Sequence, residues 1–407
     1  MRKPDFGHLL SAAEYTGVRR FCGWLAAVLA TVQLAAIAAP ALQPSRDDEV
    51  VEVLPAVTRG RPAPTSPAPQ VANPLAAQQQ ARQDIGVARQ TGDTRYWGRA
   101  QAALAPWWDR PDAPTDIAVL QATVQQGRHE FEASHKILAQ ALARTPAHAQ
   151  GWLNMAALER LSGRYAEALV ACEAVARAGQ ALYASACRLE TQSLQGRHET
   201  AVQGLQALIA LTTDNSQRGW LLSLLAESQE RWGRDAAAAH SYTSSLALDA
   251  DLYTAIAYSD LLLRTGKPAQ ALRALAILPE TDAVVLRRSA AWRRLGDARW
   301  SGARTMLQER AAELNRRGDD PALHARELAL AALWLDDDAV NALALARRNL
   351  LLQREPIDWW VAVQSAQQAR DVAALAEFDA AIAAAGLRDA RLIAARQPAK
   401  PVPRNAK

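Results

Sequence analysis

From Asn73 to about Ala395 the apolar residues recur at helical spacing, and no stretch shows convincing strand alternation. The pattern breaks on a beat. Each break is a glycine followed by a charged residue: Gly92-Asp93, Gly127-Arg128, Gly163-Arg164, Gly196-Arg197, Gly233-Arg234, Gly266-Lys267 and Gly296-Asp297. The intervals are 35, 36, 33, 37, 33 and 30 residues. Breaks at Asp336 to Asp338 and at Arg370-Asp371 lack glycine but keep near the beat. The pattern predicts helix-turn-helix units end to end, with each glycine ending a first helix where a residue without Cβ takes positive φ easily.

A period of about 34 residues per helix pair is the tetratricopeptide spacing. The segment Trp152-Leu-Asn-Met-Ala-Ala-Leu-Glu-Arg-Leu-Ser-Gly163-Arg-Tyr165-Ala-Glu-Ala168-Leu carries the likeness most strongly. Trp152 opens its first helix, Tyr165 packs at the turn, and Ala168 sits where the helices approach most closely. The five-residue step from glycine to alanine recurs at Ala201, Ala238 and Ala271. After Gly127 the step is six, to Ala133, which predicts an insertion in that loop. Ser301 takes the small-residue place after Gly296, Pro146 closes a repeat and Trp359 opens the last one.

On these residues the chain from 74 to 395 resembles the tetratricopeptide repeat (TPR) proteins. The segment Arg95 to Trp108, with Asp48-Glu49-Val50 upstream, looks like an exported bacterial group of them. The resemblance implies an all-α, right-handed solenoid of about nine helix pairs, its concave groove lined mainly by first helices. A short terminal helix, Asp389 to Ala395, then serves as a cap. Residues 396–407, proline-rich and basic, read as a disordered tail.

The N-terminal part reads differently. Phe21 to Ala39 is apolar except for Gly23, Thr31 and Gln33. Arg2, Lys3, Arg19 and Arg20 precede it, and Asp47, Asp48, Glu49 and Glu52 follow. This bias keeps 1–20 in the cytoplasm and sends the rest outward. Residues 21–42 are either a transmembrane anchor in the inner membrane or a signal peptide cleaved near Ala41, after the small-x-small triplet Ala39-Pro40-Ala41. Both readings place the body in an extracytoplasmic, periplasmic compartment. Pro40 to Pro74 holds eight prolines, so 43–73 is an extended linker.

At about 150 residues per domain, 407 residues would suggest two or three compact domains; the repeat divides the length differently. A net charge of +4 does not point to nucleic acid. Twelve tryptophans against four phenylalanines are an excess that repeat packing absorbs, with Trp232, Trp292 and Trp334 at core positions. Three cysteines exclude a disulfide-dense scaffold. Cys22 lies in the apolar run, without a lipobox. Cys172 and Cys187 fall on neighbouring antiparallel helices, where export favours a disulfide; the competing reading is two small buried apolar residues.

Chemistry-bearing motifs are sparse. His129 and His198 follow turns, and no His-Glu-x-x-His zinc pattern occurs. Asp336-Asp337-Asp338 reads as a turn whose last residue caps the helix from Ala339, with calcium binding the weaker reading. Nucleophile elbow, Walker loop and dinucleotide fingerprint are missing, so the expectation is a non-enzyme without metal or cofactor. Helical phase places Leu153, Asn154, Arg160, Trp220, Arg231, Tyr253, Arg264, Arg293, Arg294 and Trp360 in the groove. Arginine forks there suit peptide carboxylates, and aromatics give contact area at low entropy cost; the competing reading is ordinary solvated arginine. The expected function is a protein-interaction scaffold of the cell envelope, binding a peptide or protein partner during assembly of an envelope complex. An accessory subunit of a polysaccharide or peptidoglycan machine is the alternative, and a structural or self-assembling spacer a third. The oligomeric state stays open.

Overall fold

A computed structural model describes residues 73–316 and 321–396. The expectations for 1–20, for the apolar run and for the linker before Ala72, and the tail beyond Arg396, fall outside these residues. Among the described residues there are nineteen α-helices, no strand, and no helix long and apolar enough to cross a membrane.

Eighteen helices form nine consecutive pairs. They are α1 (Pro74–Thr91) with α2 (Arg95–Leu104), α3 (Thr115–Gly127) with α4 (Phe131–Arg144), and α5 (Ala149–Leu161) with α6 (Tyr165–Arg177). Next come α7 (Ala181–Leu194) with α8 (His198–Leu211), α9 (Asn215–Arg231) with α10 (Asp235–Leu248), and α11 (Leu252–Arg264) with α12 (Pro268–Ala274). The last are α13 (Asp282–Leu295) with α14 (Arg299–Arg316), α15 (Ala325–Trp334) with α16 (Ala339–Leu350), and α17 (Pro356–Ala369) with α18 (Val372–Ala385). A six-residue α19 (Ala390–Ala395) ends the array.

One turn chemistry is reused. The N–H of Gly163 donates to the carbonyl of Arg160 at 3.0 Å, and the N–H of Arg164 to that of Glu159 at 2.8 Å. This closes the last turn of α5 with Gly163 at φ +75. Gly196, Gly233, Gly266 and Gly296 repeat the arrangement. Five residues further on, Ala168, Ala201, Ala238 and Ala271 are fully buried between helices. At the breaks without glycine, Asp337 and Arg370 take the positive φ, and Asp338 and Asp371 cap the following helices through the N–H groups of Asn341 and Ala374.

Two sequence expectations are corrected. Gly127 is not the turn residue: it ends α3, and the left-handed residue is His129, φ +63. His129 and Glu130 donate to Gln126 and Gln125 just as Gly163 and Arg164 do one repeat later. The small residue is then Ser134, five positions on and fully buried, its hydroxyl donating to the carbonyl of Ala122 at 2.7 Å. The loop holds no insertion. Gly127 serves clearance instead, since a Cβ there would lie 2.5 Å from the Trp97 ring. In α14, Ser301 is exposed and the buried small residue is Ala303.

The disulfide forms. Cys172 on α6 bonds Cys187 on α7, with 5.6 Å between Cα atoms and both residues buried.

The array does not stay open. The N–H of Arg354, after α16, donates to the carbonyl of Leu161 at the end of α5, 2.7 Å away. The N–H of Arg388, after α18, donates to the carbonyl of Leu194 at the end of α7, 2.8 Å away. Arg391 on α19 reaches Glu230 on α9 at 3.4 Å. The C-terminal helices thus seat on three consecutive first-helix ends of the N-terminal half. One buried apolar cluster crosses this closure, joining Tyr165 and Leu194 to Trp359, Phe378, Leu387 and Leu392. Burying each large apolar side chain contributes about 1.5–3 kcal/mol. The terminal helix, expected as a cap on the end of the stack, instead packs into the groove.

Candidate functional site

Closure divides the groove into two chambers. An inner cavity of about 260 Å³ is lined by α5, α7, α9, α11, α13, α15 and α17 together with Arg391. An outer one of about 910 Å³ lies between α11, α13, α15, α17 and α19, with Glu230 of α9 at its edge. Glu230, Asp260, Ile357 and Arg391 belong to both walls.

Seven of the ten residues placed in the groove by helical phase line these chambers. Arg160, Arg231 and Tyr253 face the inner one. Arg264, Arg293, Arg294 and Trp360 face the outer one. The other three do not. Leu153 is buried in the core with Leu138 and Tyr183. Asn154 is buried, donates to the Thr123 hydroxyl at 3.0 Å and accepts from Gln150 at 2.9 Å. Trp220 lies half-buried against Tyr183, ring centres 5.4 Å apart.

The recurrence of arginine has a structural cause. Arg160 pairs with Glu190 of the next first helix at 3.0 Å. Arg231, only 4% exposed, donates to the hydroxyls of Ser193 and Ser228 and pairs with Glu227. Arg264 bridges Glu230 at 3.1 Å and Asp235 at 2.6 Å. Burial opposes its charge, but the Asp235 hydrogen bond and the carboxylates of Glu230 and Asp235 hold its pKa above the ordinary arginine value. Arg293 donates to the carbonyl of Trp334 at 2.7 Å and pairs with Asp337, which raises its pKa. Arg294 donates to the carbonyl of Leu263 and stacks over Trp334 at 5.9 Å; burial lowers its pKa. Arg293 and Arg294 each reach the C-terminal carbonyls of a neighbouring first helix, where a cation is favoured. These side chains weld repeat to repeat.

Sequence reasoning missed the groove charges contributed by the later repeats. Arg287 holds Asp260 through two bonds of 2.9 Å. Arg326 holds Asp358 and Glu355, both at 2.6 Å. Their helical phase was readable, since they sit on first helices like Arg160. Arg391 carried no such signal, because only the closure brings it to Glu230. The acidic run is engaged throughout: Asp336 pairs with Arg304, Asp337 with Arg293, and Asp338 caps α16. Among the described residues no group of three or more metal-ligating side chains assembles.

The outer chamber is the roomier of the two. Its size is within the range of about 300–1,000 Å³ typical of ligand pockets. Trp334 and Trp360 form an edge-to-face pair, ring centres 6.3 Å apart, in its wall. Gln364 and the exposed Gln368 of α17 border it.

No family model and no curated protein matches the chain. Solved structures do. The fold superposes on a Rap protein complexed with Competence and Sporulation Factor, with a TM-score of 0.50 and 9% identity, covering 79% of this chain and 87% of that one. A tetratricopeptide repeat protein from Parabacteroides merdae ATCC 43184 is similar at a TM-score of 0.38 and 14% identity, over 57% of this chain and 93% of that one. With nine helix pairs, one repeated turn and the first of these likenesses, the chain is a tetratricopeptide-like helical repeat array.

Proposed function

We propose that this chain is a non-enzymatic interaction scaffold that receives a segment of a partner protein or a peptide in the outer chamber of its groove. One observation carries the reading: a chamber of about 910 Å³, walled by Trp334, Trp360 and long polar side chains, inside an array whose groove arginines are tied to neighbouring carboxylates, hydroxyls and carbonyls. Aromatic walls and polar rims are what peptide recognition uses. The Rap protein of similar fold was solved with Competence and Sporulation Factor bound, which supports a binding role for such an array. The buried disulfide suits an oxidising compartment, as the apolar run at 21–39 does. On that basis the scaffold works in the cell envelope, in assembly of an envelope complex.

The test is site-specific photo-crosslinking from Gln368 in cells that make the protein. The reading expects one discrete adduct with another protein, weakened at least tenfold by Trp360→Ala at equal protein level. No adduct, or one indifferent to Trp360→Ala, would overturn it.

A further inference from the structure

The surface beneath α19 is built without α19. Glu230 is 3% exposed and is held by the Tyr242 hydroxyl at 3.1 Å and by Arg264 at 3.1 Å, both from the N-terminal side of the closure. Leu194, Trp359 and Phe378 supply an apolar floor beside it. A fixed carboxylate next to an apolar floor is a receptor for a cation followed by aliphatic side chains.

α19 presents that pattern. Arg391 pairs with Glu230 and, at 2.6 Å, with Asp389. Leu392 and Ala395 are buried in the floor, while Ile393 between them is 62% exposed. Gln364 of α17 donates to the carbonyl of Ala395 at 3.0 Å and so satisfies one free group at the helix end. Six residues are too few for a helix to hold by itself. α19 is therefore helical because this surface makes it so. Its hold on the rest of the chain is through the ion pairs of Arg391 with Glu230 and Arg396 with Asp379, the buried Leu392 and Ala395, Ala390 against Gly233, and the Gln364 amide.

We propose that the surface occupied by α19 is a recognition site for a short helical segment with an arginine directly before an aliphatic residue and a small residue three positions further on. α19 is its resident occupant. A partner segment of that chemistry displaces α19, and withdrawal of Arg391 removes one of the four side chains shared by the walls of the two chambers. The inference rests on the groove being an interaction site and specifies what it selects. Charge complementarity sets the selection: an acidic residue at the arginine position faces Glu230 and is rejected.

The probe is a fluorescein-labelled peptide of residues 387–396, added to the full chain and followed by anisotropy. Arg391→Glu in the chain places like charges together and loosens α19 while leaving the receptor surface untouched. The expected result is at least tenfold tighter peptide binding to the Arg391→Glu chain than to wild type, with no binding of a peptide that itself carries Arg391→Glu. Equal affinity for the two chains, or for the two peptides, would overturn the proposal. Hydrogen exchange on the wild-type chain gives an answer that does not depend on the variant folding. α19 amides that exchange well before those of α17, and faster still with excess peptide, support a displaceable occupant. Amides of α19 and α17 that exchange together, unmoved by peptide, make α19 a fixed part of the core and overturn it. The two readings fail separately: a Gln368 adduct without peptide binding keeps the scaffold and removes the occupant.

Discussion

The backbone N–H of Arg388 donates to the carbonyl of Leu194 across 2.8 Å, tying the connection between α18 and α19 to the end of α7. The contact is close because Gly196, two residues beyond Leu194, lacks a side chain. A Cβ there would meet the Cβ and Cγ of Arg388 at 3.0 Å. Gly196 also sits at φ +88. Gly196→Ala therefore combines two penalties, while Gly266→Ala, at φ +72 with open space around it, carries only the first. The backbone penalty is roughly 1–2 kcal/mol. Denaturant unfolding should show both variants destabilised and Gly196→Ala clearly the worse. Equal losses would mean that the Arg388 contact is not made.

The shifted turn after α3 has its own test. Gly127→Ala should cost about 1–3 kcal/mol, because the added methyl overlaps the Trp97 ring rather than straining a turn. Gly127→Ala combined with Trp97→Leu should recover part of the loss, measured by the same unfolding curves. A loss unchanged by Trp97→Leu would return the turn role to Gly127.

These cases show what the sequence made legible. A glycine followed five residues later by alanine is a local signal, and it located the helix pairs from Gly163 to Ala271. It misled at Gly127, where glycine answers to Trp97, thirty residues upstream, and a histidine takes the left-handed turn. Helical phase put Arg160, Arg231 and Arg264 in the groove. It could not supply their partners Glu190, Ser193 and Asp235, which lie one repeat away. The closure through Leu161, Leu194 and Glu230 leaves no trace in any local pattern, since each contact joins distant parts of the chain.

The disulfide closes a loop between residues 15 apart, for which the chain-entropy account gives about 3 kcal/mol. Reduction should lower the urea midpoint of the wild type and leave a Cys172→Ala, Cys187→Ala chain unchanged. Equal sensitivity of both chains to reductant would contradict the bond.

His129 supplies a pH dependence. Burial lowers its pKa from 6.5 to about 4 in the folded chain. Above pH 6.5 the imidazole is neutral folded and unfolded, and its contribution is complete. As pH falls below 6.5 the unfolded chain takes up the proton first, so stability drops until about pH 4. His129→Asn keeps a residue that tolerates positive φ and removes the titration. The difference in unfolding midpoint between wild type and variant should change steadily between pH 7 and pH 4 in the variant's favour. A constant difference would place His129 in solvent.

The central claim is that the repeat array closes on itself. Arg354 and Arg388 lie outside any helix, and their amides are bonded only across the closure, to Leu161 and Leu194. Hydrogen exchange on the intact chain tests this most directly. Protection of both amides on the order of 100-fold or more above the unstructured rate is the result the closed array predicts. Exchange of both at the unstructured rate, with the helices still protected, would show an open solenoid and contradict the account.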